Sequence, residues 1–241
     1  NHMIMLFIGV EILSIAMYIL AGSDKRNVRS NEASLKYFLM GAFASGIMLF
    51  GIALLYAGSG SLSLSGLTGF ASTADQQPLS YIYYPGLLLL LIGLLFKVSA
   101  APFHFWTPDV YEGSPTIFTT FMSTIVKVAG FAAIFRLLYT SQSSTYDYWW
   151  ITLAGITILT LLIGNVTAVY QQRFKRMLAY SSISHAGYLL ITLTALTAKT
   201  EAAILFYSIS YVLATIVAFG VLILVEKEKA IEGRLNTSYE A

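Results

Sequence analysis

Hydrophobic positions in this chain are not scattered at a helical or strand period but run in long blocks separated by short polar breaks. The blocks cover Met3 to Ala21 (A), Tyr37 to Ala57 (B), Leu79 to Ala101 (C), Thr116 to Tyr139 (D), Tyr148 to Tyr170 (E), Met177 to Ala198 (F) and Ala202 to Val225 (G). Each is close to the roughly 20 residues that a helix needs to cross a bilayer. Backbone groups in lipid must be satisfied within their own segment, so blocks of this length predict helices and not strands. The stretch 58–78 is rich in Gly, Ser and Thr and reads as an extramembrane loop. The expected fold is all-α, a polytopic transmembrane helix bundle of seven spans.

Composition agrees: 57% of residues are hydrophobic, 11% are charged, and mean hydropathy is +0.72. Soluble domains carry about a quarter charged residues, so this chain is built for lipid. There is no cysteine, which removes disulfides, zinc thiolate sites and iron–sulfur ligation by this chain. No nucleotide-binding glycine fingerprint and no nucleic-acid motif is visible. The net charge of +2 is less informative than its placement. Lys25, Arg26, Arg29 and Lys36 lie between A and B, Arg173, Lys175 and Arg176 between E and F, and Lys227, Lys229 and Arg234 after G. Those ten basic residues fall on one side of the predicted alternation, and only Lys199 falls on the other. The asymmetry predicts that 22–36, 171–176 and the C-terminal tail are cytoplasmic and that 58–78 faces outward.

The five prolines all lie between 78 and 115. Pro102 follows Leu87–Ala101 with no polar break, lacks a backbone donor and clashes with the carbonyl of Val98. Periodicity leaves two readings open. Helix C ends at the cytoplasmic surface, or it is a discontinuous helix, broken near 97–102 inside the membrane with its freed backbone groups toward a hydrated cavity.

Subtracting the loop charges leaves Glu11, Lys97, Lys127 and Arg136 within spans, together with His185. Glu11 is ninth of the 19 residues in A, Lys127 twelfth of the 24 in D, and His185 ninth of the 22 in F. Ionisable residues near the bilayer midplane cost a few kcal/mol and are presumed functional. Arg136, in the last turn of D, reads as an interfacial anchor. For His185, packing and function are both open. Polar stripes accompany these groups: Glu11, Ser14 and Tyr18 on A; Thr116, Thr120, Ser123, Thr124 and Lys127 on D; Ser181, Ser184, His185, Tyr188 and Thr192 on F. Hydroxyls of this kind also serve as interhelical glue. Burial disfavours the charged form of a lysine and a nearby carboxylate favours it, so a buried lysine with a movable partner is a proton switch. Asp109 and Glu112 lie beyond the break, where solvated loop acids are expected.

The run Phe96-Lys97-Val98-Ser99-Ala100-Ala101-Pro102-Phe103-His104-Phe105-Trp106-Thr107-Pro108-Asp109-Val110-Tyr111-Glu112-Gly113-Ser114-Pro115-Thr116 closely resembles the antiporter-like subunits of complex I, the proton-translocating NADH:quinone oxidoreductase. Val110 to Thr116 is similar to the subunit N branch (subunit 2 in mitochondrial naming) more than to subunits L and M or to Mrp antiporters. Gly9-Val10-Glu11-Ile12-Leu13-Ser14 and Tyr180-Ser181-Ser182-Ile183-Ser184-His185-Ala186-Gly187-Tyr188 add to the resemblance. It implies a fold of about fourteen helices with two inverted five-helix repeats, each holding a broken helix. A to G would then match the fifth to eleventh helices. Residues 1–140 would supply the latter four helices of the first repeat, and 141–241 the first three of the second, ahead of its broken helix. Opening on Asn-His-Met, the chain is expected to be an excerpt of a longer protein.

By the same resemblance Glu11 is the fifth-helix glutamate, Lys97 the seventh-helix lysine at the break, Lys127 the eighth-helix lysine, and His104 the histidine just after the break. With His185 these are the expected proton-transfer residues. The twelfth-helix ionisable residue lies outside the chain, so the excerpt alone is not expected to pump. The implied partners are other membrane-arm subunits, the lipid bilayer, protons and internal water, with no nucleic acid, and the implied setting is a bacterial inner membrane. No cofactor or metal is expected in this chain; NAD, FMN, iron–sulfur clusters and quinone belong to the whole complex. The alternatives are an Mrp-type cation/proton antiporter subunit, a retinal protein or receptor, which helix G disfavours by lacking a Schiff-base lysine, and a structural scaffold, which the buried charges disfavour.

Overall fold

A computed structural model describes residues 2–71, 80–140 and 142–231, and its regular elements there are all helical, apart from one isolated bridge between His2 and Ser63. Helix α1 spans Met3–Ala21, the whole of block A. Helix α2 runs Val28–Ser59, starting well before block B, so Arg29 and Lys36 are helical and not in a loop. At 1.5 Å per residue α2 is about 48 Å long, and its first turns project beyond a hydrocarbon core of about 30 Å. Within the segment read as a loop lies a short helix, α3, Leu64–Ala71. Its Leu64 and Leu67 are buried in the same core cluster as Met3, Leu55 and Leu94. The rest of 58–78, residues 72–78, falls outside the described residues.

Helix α4 covers Ser80–Lys97 and α5 covers Trp106–Gly113. Block D is one continuous span built from α6 (Thr116–Phe121), a π-helical turn (Met122–Val126) and α7 (Lys127–Thr140). Helices α8 (Gln142–Val169), α9 (Phe174–Ala195) and α10 (Thr200–Ile231) follow blocks E, F and G. Met3–Ala21, Val28–Ser59, Thr116–Tyr139, Trp149–Val169 and Thr200–Glu228 are long and apolar enough to cross a membrane, while the apolar part of α4, Tyr81–Lys97, is shorter.

Outward-facing side chains explain the solvent this bundle is made for. On α1, Met5, Ile8, Ile12, Ile15 and Ile19 form one exposed stripe, and α10 exposes Leu205, Phe206, Ile209, Leu213 and Val217. Such surfaces are tolerable against acyl chains and not against water. Inside, helices approach through small residues, as expected where lipid gives no hydrophobic drive for association. A Cβ on Gly51 would lie 2.5 Å from the backbone nitrogen of Leu90, and one on Gly86 would lie 2.9 Å from that of Leu55. Helices α2 and α4 therefore touch backbone to backbone, which fixes the helix carrying Lys97.

Interruption after α4 is the feature that positions the site. The helix stops at Lys97, Ser99 takes a left-handed φ of 63°, and regular helix resumes only at Trp106. A serine in that region costs about 1–2 kcal/mol relative to glycine. The peptide before Pro102 is cis. Residues beyond the break are not in solvent: His104, Trp106, Thr107, Val110 and Tyr111 are all buried. Two of the backbone groups at the break are met by side chains. Ala101 N donates to Thr160 Oγ1 on α8 at 2.9 Å, and Trp106 Nε1 donates to the carbonyl of Phe96 at 3.1 Å. Trp106 is held there by a stacked Tyr37 ring, with centroids 4.5 Å apart, and by Phe96.

The two ends of the bundle differ. At one, Met3 N donates to the carbonyl of Leu62. At the other, Arg29, Glu32, Lys36, Asp109, Glu112, Arg173 and Arg176 surround one cavity of about 200 Å³, and Thr116 Oγ1 donates to Glu226 of α10 at 2.7 Å. The A–B, C–D and E–F connections and the tail of G thus gather at one end.

Candidate functional site

Lys97, the last residue of α4, turns its ammonium into a pocket walled by α1 and α2. Its Nζ donates to Ser14 Oγ at 2.8 Å, Tyr18 Oη at 3.2 Å and Ser45 Oγ at 3.5 Å, and Glu11 Oε1 lies 3.6 Å away. The Ser45 hydroxyl donates to the same Glu11 oxygen. The carboxylate and ammonium are therefore an ion pair with a serine hydroxyl between them, not a directly bonded pair. The lysine side chain is 5% exposed and the glutamate 22%, so only Glu11 keeps a wetter edge. The stripe Glu11, Ser14 and Tyr18 reads as the sequence placed it. Ser45, on α2, had no signal, because one serine in an apolar block looks like packing. Tyr18 reaches the lysine because Gly41 leaves room: a Cβ there would collide with the tyrosine hydroxyl.

Lys127 starts α7 just after the π-helical turn and is 1% exposed. Its Nζ donates to the carbonyl of Ser182 at 2.7 Å and also to the Ser182 hydroxyl. Among the described residues no carboxylate lies within ion-pair distance of it. The hydroxyl stripe read on D does not serve it. Thr120, Ser123 and Thr124 donate to the carbonyls of Thr116, Thr120 and Thr120 on their own helix. The stripe on F also divides: Ser184 donates to Tyr180 O and packs against Gly164 of α8, and the lysine's partner is the neighbouring Ser182. Beyond Ser182 the network continues onto α10. Ser182 Oγ meets Tyr211 Oη at 2.8 Å, Tyr211 Oη donates to Ser123 O at 2.9 Å, and His185 Nδ1 pairs with Tyr207 Oη at 2.7 Å. Two tyrosines within an apolar span carried no polar pattern, so sequence reasoning missed both.

His104 is buried after the break, with Nδ1 lacking a hydrogen-bond partner, and no hydrogen bond or ion pair joins it to either lysine. The Lys97–Glu11 group lies apart from the Lys127–Ser182–Tyr211 chain, and His185 adjoins the latter through the Tyr211 ring. Arg136 is exposed in the second half of α7.

Asp109 and Glu112 are not solvated loop acids. Asp109 accepts from Lys36 and Arg176, each at 2.9 Å, and Glu112 from Arg176 at 2.9 Å and from Arg173. Burial alone pushes both carboxyls upward. The hydrogen bonds from Lys36 and Arg176 to Asp109, and from Arg176 and Arg173 to Glu112, outweigh it and hold both below the usual carboxylate range. This cluster ties α5, the segment beyond the break, to α2 and α9. Among the described residues no group of three His, Cys, Asp or Glu side chains is placed to hold a metal ion.

Residues 1–239 match the family model described as NADH:quinone oxidoreductase/Mrp antiporter, TM. NADH-quinone oxidoreductase subunit N of Cytophaga hutchinsonii is 48% identical over 229 residues, covering 95% of this chain and 49% of that relative. Subunit N of Gemmatimonas aurantiaca is 48% identical over 223 residues, covering 92% and 42%. The chain spans about half the length of the curated relatives it matches. Among solved structures, a chain of respiratory complex I from Thermus thermophilus superposes with a TM-score of 0.75 at 43% identity, over 92% of this chain and 46% of that one. A chain of the Mrp complex from Dietzia gives 0.76 at 23% identity, over 91% and 40%, which speaks for the fold. This all-helical bundle with a broken helix beside a buried lysine belongs to the NADH:quinone oxidoreductase/Mrp antiporter transmembrane family.

Proposed function

We propose that this chain is the central part of a subunit N that carries protons across a bacterial inner membrane within NADH:quinone oxidoreductase, coupled to electron transfer from NADH to quinone elsewhere in the complex. The observation that carries this reading is the Glu11–Ser45–Lys97 group at the helix break, with a second buried lysine, Lys127, on the next span. These groups can pick up and hand on a proton but hold no electrons. NAD, FMN and iron–sulfur chemistry belong to other subunits, and this chain has no cysteine to ligate a cluster. Glu11, Lys97, Lys127, His104 and His185 are the proposed proton carriers, with His104 the least connected of the five.

Residues 1–140 form the latter four helices of one five-helix repeat, and 141–241 open the next. Seven spans follow if α4, completed by the segment after the break, and α9 each cross the bilayer. Cysteine labelling of sealed vesicles tests the alternation. Ser30 is buried, with its hydroxyl on Ala21 O, so Lys25→Cys is the better probe of the 22–36 segment. Lys25→Cys and Ser65→Cys are expected to label from opposite sides; labelling from one side overturns the count.

An Mrp-type cation/proton antiporter would use the same internal charges. The two functions separate on what drives transport. In vesicles holding the intact complex, NADH addition should drive proton uptake with or without sodium, and Lys97→Met should abolish most of it. Uptake that requires a sodium gradient and ignores NADH would favour the antiporter.

A further inference from the structure

Tyr211 sits where the Lys127 network meets open space. Lys127 donates to Ser182 Oγ, and Tyr211 donates to Ser123 O at 2.9 Å. Each hydroxyl has a single hydrogen, so the 2.8 Å contact between Ser182 and Tyr211 can only be Ser182 donating to Tyr211. All the hydrogens in the chain Lys127, Ser182, Tyr211 therefore point the same way, outward from the lysine. Its terminus, Ser123 O, lies in the π-helical turn, where the regular helical ladder is broken and which often marks functional segments. A carbonyl accepts a hydrogen bond but passes no proton on.

On its other side Tyr211 borders a cavity of about 170 Å³ lined by Ser181, Ser182, His185 and Thr215, among others, and its ring lies 4.8 Å from the His185 ring. Lys127 itself does not line that cavity. Ser182 and Tyr211, which both line it, stand between the lysine and the space beside His185.

We infer that Tyr211 is the relay that hands the Lys127 proton to the cavity beside His185, by turning its hydroxyl from Ser123 O toward that cavity. In the transfer an N–H bond of Lys127 breaks as an O–H bond forms on Ser182. The former Ser182 proton moves to Tyr211 Oη, and the former Tyr211 proton moves to a water or imidazole in the cavity. One proton is displaced, Lys127 is left neutral, and no electron moves. While its hydrogen stays on Ser123 O the relay is closed, so rotation of one phenolic hydroxyl serves as the gate. This extends the proton-carrier role proposed for Lys127 and rests on it.

The test uses the intact complex in sealed vesicles, with NADH-driven proton uptake measured for Tyr211→Phe, Ser182→Ala, Lys127→Met and the double variant Tyr211→Phe/Lys127→Met. Tyr211→Phe keeps the ring against His185 and loses only the hydroxyl. Uptake should fall by at least about tenfold, a conservative figure beside the roughly hundredfold or more that a positioned proton-transfer group contributes. The double variant should be no worse than Lys127→Met alone, whereas a packing role for Tyr211 would make the losses multiply. If Lys127→Met pumps normally, the proposed function of that lysine is wrong. If Lys127→Met is impaired but Tyr211→Phe pumps normally, the relay inference is overturned and the lysine's role stands. Should Tyr211→Phe fail to assemble, Ser182→Ala decides, since it cuts the same path one step earlier and normal uptake in it overturns the relay.

Discussion

Lys127→Met in the assembled complex is expected to lower NADH-driven proton uptake by about tenfold or more while leaving the complex assembled and no less heat-stable. The two halves of this result come from one geometry. The ammonium is 1% exposed and faces a carbonyl and a hydroxyl of Ser182, with no carboxylate among the described residues in ion-pair range. Taking an ion out of water costs several kcal/mol, and a single serine returns only part of it. Methionine keeps the unbranched stem that fills the site and removes the charge, so stability has no reason to fall. A lysine kept for packing or as an interhelical hydrogen bond would behave the other way, with weaker assembly and unchanged pumping. Proton uptake per NADH and the turnover rate, read beside a thermal melt of the purified complex, separate the two. Wild-type uptake and turnover together would remove Lys127 from the path.

How far the sequence carried the reading depended on whether a signal was summed or local. Spans emerge from hydropathy because each averages over about 20 residues, and one serine or tyrosine does not disturb the sum. The break was visible because Pro102 removes a helical donor in the middle of an apolar run. Helix α3 was missed because its eight residues sit among glycines and serines, and its buried Leu64 and Leu67 gain their meaning only from Met3 and Leu55 across the bundle. The π-helical turn at Met122–Val126 has no composition of its own, and it moves the residues that follow off the face an ideal helix gives them. That is one reason Thr120, Ser123 and Thr124, placed beside Lys127 by helical spacing, bond their own backbone instead. Choosing Ser182 over Ser181 or Ser184 needs the rotation of α9, a tertiary quantity. Asp109 and Glu112 looked solvated because their arginine partners stand more than 60 residues away in the chain. Tyr207 and Tyr211 were invisible for the opposite reason: in an apolar span a tyrosine reads as bulk until its hydroxyl is seen to have a partner.

Glu11 and Lys97 are expected to act as one coupled unit, and a double-mutant cycle should show it. At 3.6 Å an ion pair is worth about 4–5 kcal/mol at an effective dielectric of 20, enough to decide whether the lysine keeps its proton. Ser45 lies on both groups, donating to the glutamate and accepting from the lysine, so it holds the pair in register without fusing it into a direct bond. Each partner is carried by a different kind of support. Glu11 is mid-way along α1, whose outer face is a lipid-facing stripe, whereas Lys97 is the last helical residue before the irregular run 98–105. Helix α4 above it is pinned to α2 by the Gly51 and Gly86 contacts, and the cytoplasmic-side half of α1 by Ser30 and Ser34, so the freedom lies in the irregular run after Lys97 and in the Glu11 half of α1. A shift of a few ångströms that withdraws the carboxylate leaves the ammonium to Ser14, Tyr18 and Ser45, neutral oxygens that solvate it but do not offset its charge. The proton then leaves at much lower cost, and the return of Glu11 recaptures one. Glu11→Gln keeps the shape and removes the charge; Lys97→Met removes the group that the charge acts on. In NADH-driven proton uptake by the reconstituted complex, each single variant should lose about tenfold or more, and the double variant should lose little beyond the worse of the two. If the two losses multiply, the residues act independently, and the ion pair seen here is a structural contact and not the switch.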